Sequence, residues 1–227
     1  MDRKAKSEKV LAKYKIKINP NLPRIENEEE ARIKSPEEIV KRAVAAFLTA
    51  QIAIDIINGN GAAESVEFFT PILERFGLTD ELTPDEKPYF DPDKCDDISE
   101  DDANQVQWRI EMCVVLFWAC GFRKDLEFPP LELSDTSPEI ALIGGCKNFE
   151  ELMGHVKMRS ASEILDMADL LFRADWACVE ARIHNDPSAL GKTGQFFSDV
   201  IVEQHKGVNW LIGAVDAEDW DNVLPHT

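Results

Sequence analysis

The apolar positions between Pro36 and Ile57 recur every three or four residues, which is the period of an amphipathic helix. Ser35 supplies an N-cap, Pro36 the first helical position and Glu38 an acid at N3, so this helix is predicted to begin at Pro36. An Asn-Gly pair directly after Ile57 is predicted to end it. The apolar face consists of Ile39, Ala43, Ala46, Ala50, Ala53 and Ile57. Its small alanines would let a second helix approach closely.

Similar signals predict more helices along the chain. Ser160 and Glu163 form a second capping box, which opens a long helix that the Asn-Asp-Pro run beginning at Asn185 ends. This helix is apolar on almost every side, so it is predicted to lie in the core. The other predicted helices are 62–76, kinked or split at Pro71, 100–121, a short one from Asn148 through Met153, and 196–212.

One segment has the alternating pattern of a strand. Residues 14–18 alternate apolar and polar, and the two prolines at Pro20 and Pro23 break the pattern. The predicted fold is therefore mainly α: a single helical domain over 14–227, packed around long central helices, with at most one short N-terminal strand or small β element. Residues 1–13 are predicted to be a basic, flexible N-terminus.

The net charge of −18 is unevenly distributed. Residues 1–19 hold seven Lys and Arg against two acids, whereas residues 78–102 hold eleven acids against two lysines. A body with this many acids should repel nucleic acid and anionic membranes. Neither is therefore expected as a partner. The basic start is compatible with a nucleic-acid arm, but a frayed, solvated terminus is the favoured interpretation.

The cysteines and the apolar runs indicate the cellular compartment in which the protein is expected. The five cysteines include no Cys-x-x-Cys pair, and three of them fall in apolar helical runs, as is typical of small buried residues. The most apolar stretch, Ala43 to Ile54, is too short to span a bilayer. These features favour a reducing environment, and the protein is expected to be cytoplasmic.

Charged residues in the central helix indicate a polar centre. Asp166, Asp169 and Arg173 are spaced by three and four residues, so they lie along one side of the helix, and Asp169 precedes Arg173 in the order that favours an ion pair. A polar seam that ties helices together is the favoured interpretation. The alternative is a cleft wall at which the two acids share a metal ion or a proton.

Other helices supply candidates for the same seam. Arg109 and Glu111 are two residues apart, so they need separate partners, and cross-helix pairs are predicted. Glu203 and His205 have the same spacing and cannot point at one ion from one face, so neither a metal site nor a cofactor is predicted. No complete catalytic motif is present, and catalytic residues remain unassigned. The candidate polar seam comprises Arg42, Arg109, Glu111, Asp166, Asp169, Arg173, Glu203 and His205.

A set of short motifs gives the chain a family resemblance over residues 14–227. They are Leu22-Pro23, Ile33-Lys-Ser-Pro-Glu-Glu38, Arg42-Ala43, Leu82-Thr83-Pro84, Trp108-Arg109-Ile-Glu111, Leu116-Phe-Trp-Ala-Cys-Gly121, the stretch from Arg159-Ser160 to Trp176-Ala177, Glu203-x-His205 and Asn209-Trp210-Leu211. In this order they resemble the domain-of-unknown-function 4272 family. The resemblance implies a helical domain and no agreed activity. The chain departs from the family pattern at Gln204 and at the final His226-Thr227.

The acid-rich surface and the lack of a catalytic motif favour a non-catalytic binding protein, of the inhibitor or immunity type. Such a protein would cover a basic protein partner by electrostatic complementarity. The alternative is an enzyme or small-ligand protein, metal-dependent or not, that uses the Asp, Glu and Arg side chains of the seam as a pocket. A homo-oligomer subunit is also compatible with the sequence.

Overall fold

The computed structural model describes residues 2–225, and these residues form helices, turns and loops without a strand. The prediction of a mainly α fold is confirmed. In chain order the α-helices are α1 (Arg3–Tyr14), α2 (Pro36–Ile57), α3 (Ala62–Arg75), α4 (Glu100–Gln107), α5 (Arg109–Ala119), α6 (Ser137–Gly145), α7 (Phe149–Met153), α8 (Ala161–His184) and α9 (Phe197–Ile212). Within the described part of the chain, none of them is long and apolar enough to cross a membrane.

The contacts divide the chain into two compact units. Unit 1 comprises the described residues of 1–34, 125–134 and 159–227, and unit 2 comprises 35–124 and 135–158. Unit 1 therefore contains α1, α8 and α9, and unit 2 contains α2 to α7. The single domain over 14–227 stays a prediction.

Unit 2 is built around α2. Its predicted capping box is present: the Ser35 hydroxyl accepts from the Glu38 backbone, and the Glu38 carboxylate accepts from the Ser35 backbone. The four alanines of the predicted apolar face are fully buried, and α2 packs against α3, α4 and α5. Phe47 of α2 meets Phe117 of α5 edge to face, with 5.4 Å between ring centroids. The small side chains thus allow close helix packing, as the pattern predicted.

In unit 2, one predicted helix is divided and another continues through its proline. The predicted helix over 100–121 is divided into α4 and α5 at Trp108. Pro71 neither ends nor divides α3, which runs from Ala62 to Arg75. The proline removes one hydrogen bond to the carbonyl of Glu67, a residue that is exposed. Water can satisfy that carbonyl, which explains why the helix tolerates the proline.

Unit 1 is built around α8, which packs against α1 and α9. The capping box of Ser160 and Glu163 is present as predicted. The helix ends at His184, and Asn185 follows in the left-handed conformation that commonly terminates helices. Buried residues lie all around α8, as its apolar pattern predicted.

The start of the chain differs from the expectation of a flexible terminus followed by a strand. Residues 3–14 form α1, and Lys15 follows with a φ of 61°. The Ile16 backbone N–H donates to the Leu11 carbonyl and the Lys15 N–H to the Ala12 carbonyl, and both Leu11 and Ile16 are buried. This is a Schellman ending, in which an apolar residue after the helix packs back on its last turn. The alternation over 14–18 therefore reflects a helix end.

Gly191 lies against the end of α1. Its φ is 65°, and a Cβ atom placed on it would lie 2.3 Å from the Tyr14 carbonyl oxygen. The neighbouring Lys192 N–H donates to that same oxygen at 3.0 Å. Only glycine fits this close backbone approach, so Gly191 helps to fix α1 within unit 1.

Candidate functional site

A buried carboxylate–imidazole pair lies between α8 and α9 in unit 1. Asp175 of α8 is fully buried, His205 of α9 is 2% exposed, and 2.9 Å separates Asp175 Oδ2 from His205 Nδ1. An ionised carboxylate can only accept, so Nδ1 carries the proton and donates it. In the neutral imidazole, Nε2 on the other side of the ring is then left as an acceptor.

His205 also lines a cavity of about 280 Å³ in unit 1. Among the described residues, the hydrogen bond of this ring is the one between Nδ1 and Asp175. The rest of the lining is mainly apolar with a few polar groups: Arg24, Ile25, Glu26, Ala168, Phe172, Asn209, Ile212, Ala214, Val215 and Asp216. A mainly apolar cavity with a few convergent polar groups is the usual form of a small-molecule site. The pair can hold such a molecule by a hydrogen bond to Nε2.

The predicted ion pair within α8 is confirmed. Arg173 Nε donates to Asp169 Oδ2 at 2.8 Å and Arg173 Nη2 to Asp169 Oδ1 at 2.9 Å, with both residues almost fully buried. Nη2 also donates to the Pro23 carbonyl at 2.8 Å. The guanidinium therefore fastens the segment after α1 to α8. Because its carboxylate partner is bidentate and buried, this pair has a structural role in unit 1.

Asp166 has different partners from Asp169. It accepts from Arg3 Nε at 3.1 Å and from Lys6 Nζ at 2.8 Å, both on α1. Asp166 and Asp169 both line a second cavity of unit 1, of about 460 Å³. Most of the charges there are already paired, including Arg3 with Glu28 at 2.7 Å. A charged ligand would have to break these ion pairs, so this cavity is a weaker candidate than the one at His205.

Glu203 is not part of either arrangement. Its carboxylate lies 2.5 Å from Lys206 Nζ, one helical turn along α9. No group of three or more His, Cys, Asp or Glu within residues 2–225 is placed to hold a metal ion. The two-residue spacing of Glu203 and His205 thus gives them separate partners, as expected from helix geometry.

Unit 2 contains the remaining members of the predicted seam. Arg42 pairs with the fully buried Glu86 through Nη2 and Oε2, and its Nη1 donates to the Glu81 carbonyl at 2.8 Å. Arg109 Nη2 lies 3.3 Å from Asp85 Oδ2, and Arg109 Nη1 lies 3.9 Å from Glu86 Oε1. Glu111 is buried on α5. Arg42 and Arg109 thus meet at one acidic turn, whose Glu86 lies close to both.

Sequence reasoning missed Asp175 and Glu86. A local signal for Asp175 exists, because no basic residue lies three or four positions from it on α8. A buried acid without a helical neighbour of opposite charge must find its partner on another element. His205, which likewise has no acid at those spacings, was the available candidate on α9.

The helices and these buried polar pairs define an all-α protein with no metal-binding cluster among its described residues. The chain belongs to the family described as Domain of unknown function (DUF4272), whose model matches residues 3–223. The family prediction is confirmed. No curated protein and no solved structure matches the chain. Of the two departures from the family pattern, Gln204 is buried on α9, whereas His226-Thr227 lies outside the described residues.

Proposed function

We propose that this protein binds a small, mainly apolar molecule carrying one hydrogen-bond donor, in the cavity at His205. The observation that carries the proposal is the pairing of Asp175 with Nδ1, which holds the ring while Nε2 is left to accept from a ligand. Phe172 and Ile212 offer apolar walls, and Asn209 is a further polar group near the histidine. The proposal follows the sequence-based alternative of a small-ligand protein, with His205 as the residue that receives the ligand.

The same pair is competent for acid–base chemistry. A ligand hydroxyl or acidic C–H at Nε2 could pass its proton to the imidazole, and the Asp175 carboxylate would stabilise the imidazolium that forms. Burial excludes water and so strengthens this interaction. Binding is the proposed function, and proton transfer is the reaction that the bound geometry supports.

The test uses small rings with and without a hydroxyl. Phenol and cyclohexanol are titrated into protein labelled for histidine NMR, with toluene and methylcyclohexane as matched probes. The hydroxylated probes are expected to shift the His205 ring signals saturably and to bind about five times more tightly, since one hydrogen bond contributes about 1 kcal/mol. His205→Ala should abolish the difference in affinity between hydroxylated and plain probes, measured by calorimetry, whereas His184→Ala, at an exposed position of α8, should preserve it. Equal binding of both classes, or no shift at His205, would overturn the proposal.

A second function is favoured by the acidic segment of unit 2. We infer that residues 78–102 could cover a basic protein surface, as an inhibitor or immunity protein does, because most of their carboxylates are exposed. Tagged wild-type protein and a variant with Asp93, Asp96 and Asp97 changed to Asn are compared by capture from cell lysate at two salt concentrations. One stoichiometric basic partner that is lost in the variant and at high salt supports this function. A partner retained by the variant contradicts it.

A further inference from the structure

Tyr89 has a buried hydroxyl without a hydrogen bond. The residue is 3% exposed, and its oxygen has no partner among the described residues. Buried hydroxyls are nearly always satisfied, because leaving one unpaired costs free energy. A bound group that donates to this oxygen would satisfy it.

Tyr89 lines a cavity of about 300 Å³ in unit 2, together with Asp85, Asp102 and Arg109. These three charged groups are also close enough to affect its ionisation: burial, Asp102 and Asp85 raise the pKa of Tyr89 to about 12, and Arg109 opposes them. The hydroxyl therefore stays neutral and can accept a hydrogen bond at neutral pH. It lies among charges that are predominantly negative.

The charge balance of the cavity selects the sign of a ligand. The Arg109 guanidinium is already within 3.3 Å of Asp85 and 3.9 Å of Glu86. Asp102 accepts from the Ser99 hydroxyl with Oδ2, and its Oδ1 can accept from a second donor. The lining thus carries one more negative than positive charge, within a segment of eleven acids and two lysines. An anion would be repelled, whereas a cation would gain a carboxylate and a phenolic oxygen.

The walls indicate what the cation is attached to. Pro84, Pro88, Ile98 and Val106 line the same cavity and offer apolar contacts beside the charged groups. An alkyl chain with an ammonium end matches this arrangement, because its methylenes pack on apolar surface while its charge reaches polar partners. An ammonium also has three donors, enough for Asp102 and the Tyr89 oxygen at once.

We propose that unit 2 binds a primary alkylammonium group in this cavity, held by Asp102 and the Tyr89 hydroxyl. The group can come from a free polyamine or from a lysine side chain of a protein partner. The site is separate from the His205 cavity and does not depend on ligand binding there. If lysine is the source, the site also specifies how the acidic segment recognises a basic partner.

Because the chain has only two tyrosines, ring NMR of labelled tyrosine isolates the site. Cadaverine and a single-lysine peptide are titrated separately, with 1-pentanol as the uncharged probe. Both amines are expected to shift the Tyr89 signals saturably and to leave Tyr14 unchanged, and pentanol should have no effect. Tighter binding of the peptide identifies a protein side chain as the source, and tighter binding of cadaverine a free polyamine.

Variants separate a defined site from general attraction to acids. Asp102→Asn keeps an oxygen that can accept from the Ser99 hydroxyl and should weaken cadaverine binding at least tenfold by calorimetry. Tyr89→Phe should weaken it about threefold. Asp101→Asn removes the same charge from the neighbouring exposed position, which does not line the cavity, and should change binding less than twofold. Equal losses in the Asp101 and Asp102 variants, or no shift of the Tyr89 signals, would overturn the proposal. Neither result would affect the test with phenol at His205.

Discussion

The buried ion pair of Asp169 and Arg173 makes unit 1 sensitive to loss of either charge. Asp169→Asn is expected to lower the free energy of unfolding by about 3–5 kcal/mol, because it leaves an uncompensated guanidinium in the core. The double variant Asp169→Leu, Arg173→Met should recover most of that loss, since apolar residues of similar size avoid desolvating two charges. Urea unfolding of the three proteins checks the prediction. A double variant no more stable than the single one would show that the pair is needed for packing beyond its charges.

The Asp175–His205 pair should also contribute to stability. Asp175→Ala leaves the buried imidazole without its partner and is expected to cost about 1–3 kcal/mol in urea unfolding. The matched control is Glu180→Ala, which breaks the exposed contact of Glu180 with Lys17 on the same helix. The control should cost less than about 1 kcal/mol. Similar losses in both variants would contradict the buried character of the pair.

These residues show how far local spacing predicts a site. Asp169 and Arg173 could be paired from sequence because both lie on one helix, where geometry follows from the 3.6-residue period. Asp175 and His205 can each be recognised as lacking a partner on their own helix, but their contact could not be predicted, because the register between α8 and α9 depends on the packing of many side chains. The same limit applies to Arg42 and Glu86, whose contact joins a helix to a turn.

Helix α1 is the element that most changes the interpretation of the sequence. Leu11 is 1% exposed, so Leu11→Ala is expected to lower the free energy of unfolding by about 2–5 kcal/mol. Lys13→Ala, at an exposed position two residues further on, should change it by less than about 0.5 kcal/mol. Thermal or urea unfolding distinguishes these outcomes. If α1 frayed in solution, both substitutions would be close to neutral.

At the scale of elements, strong capping signals predicted where helices begin, whereas weak apolar patterns did not reveal that a helix was present. The capping boxes at Ser35 and Ser160 located the starts of α2 and α8, since two reciprocal hydrogen bonds specify a helix start locally. Helix α1 has few apolar positions among its lysines, and α6 contains two glycines at its end, so neither gives a clear helical pattern. Tertiary contacts of Leu11 and Ile16 stabilise α1 where its own pattern does not.

At the scale of the whole molecule, the basic start is used to balance acids of unit 1. Arg3 and Lys6 contact Asp166, and Lys17 contacts Glu180 at 2.6 Å. The acids of residues 78–102 have far fewer cations near them in sequence, and most stay exposed. The excess of negative charge is therefore concentrated in unit 2, which is why a basic partner or an ammonium ligand is proposed for that unit.

The buried thiols predict loss of stability at alkaline pH. Burial raises the pKa of Cys120 and Cys178 to about 12 from an ordinary value of 9.0, and it raises that of Cys113 as well. Because the pKa of these thiols is higher in the folded state, their contribution to stability is fully present below pH 9, where the thiols of folded and unfolded chains are both protonated. Above pH 9 only the unfolded chain releases these protons, so stability falls as the pH rises toward 12.

Several groups titrate together in that window, so the fall should be steep. Between pH 10 and 11 the free energy of unfolding is expected to drop by more than the ~1.4 kcal/mol per pH unit of a single group. Urea unfolding at half-unit intervals from pH 8 measures the slope, and the double variant Cys120→Ala, Cys178→Ala should reduce it. Tyr89→Phe should reduce the slope further only above pH 10, because the pKa of Tyr89 is near 10 in the unfolded chain and about 12 in the folded one. A flat profile up to pH 11 would mean that these thiols and Tyr89 reach solvent in the folded protein.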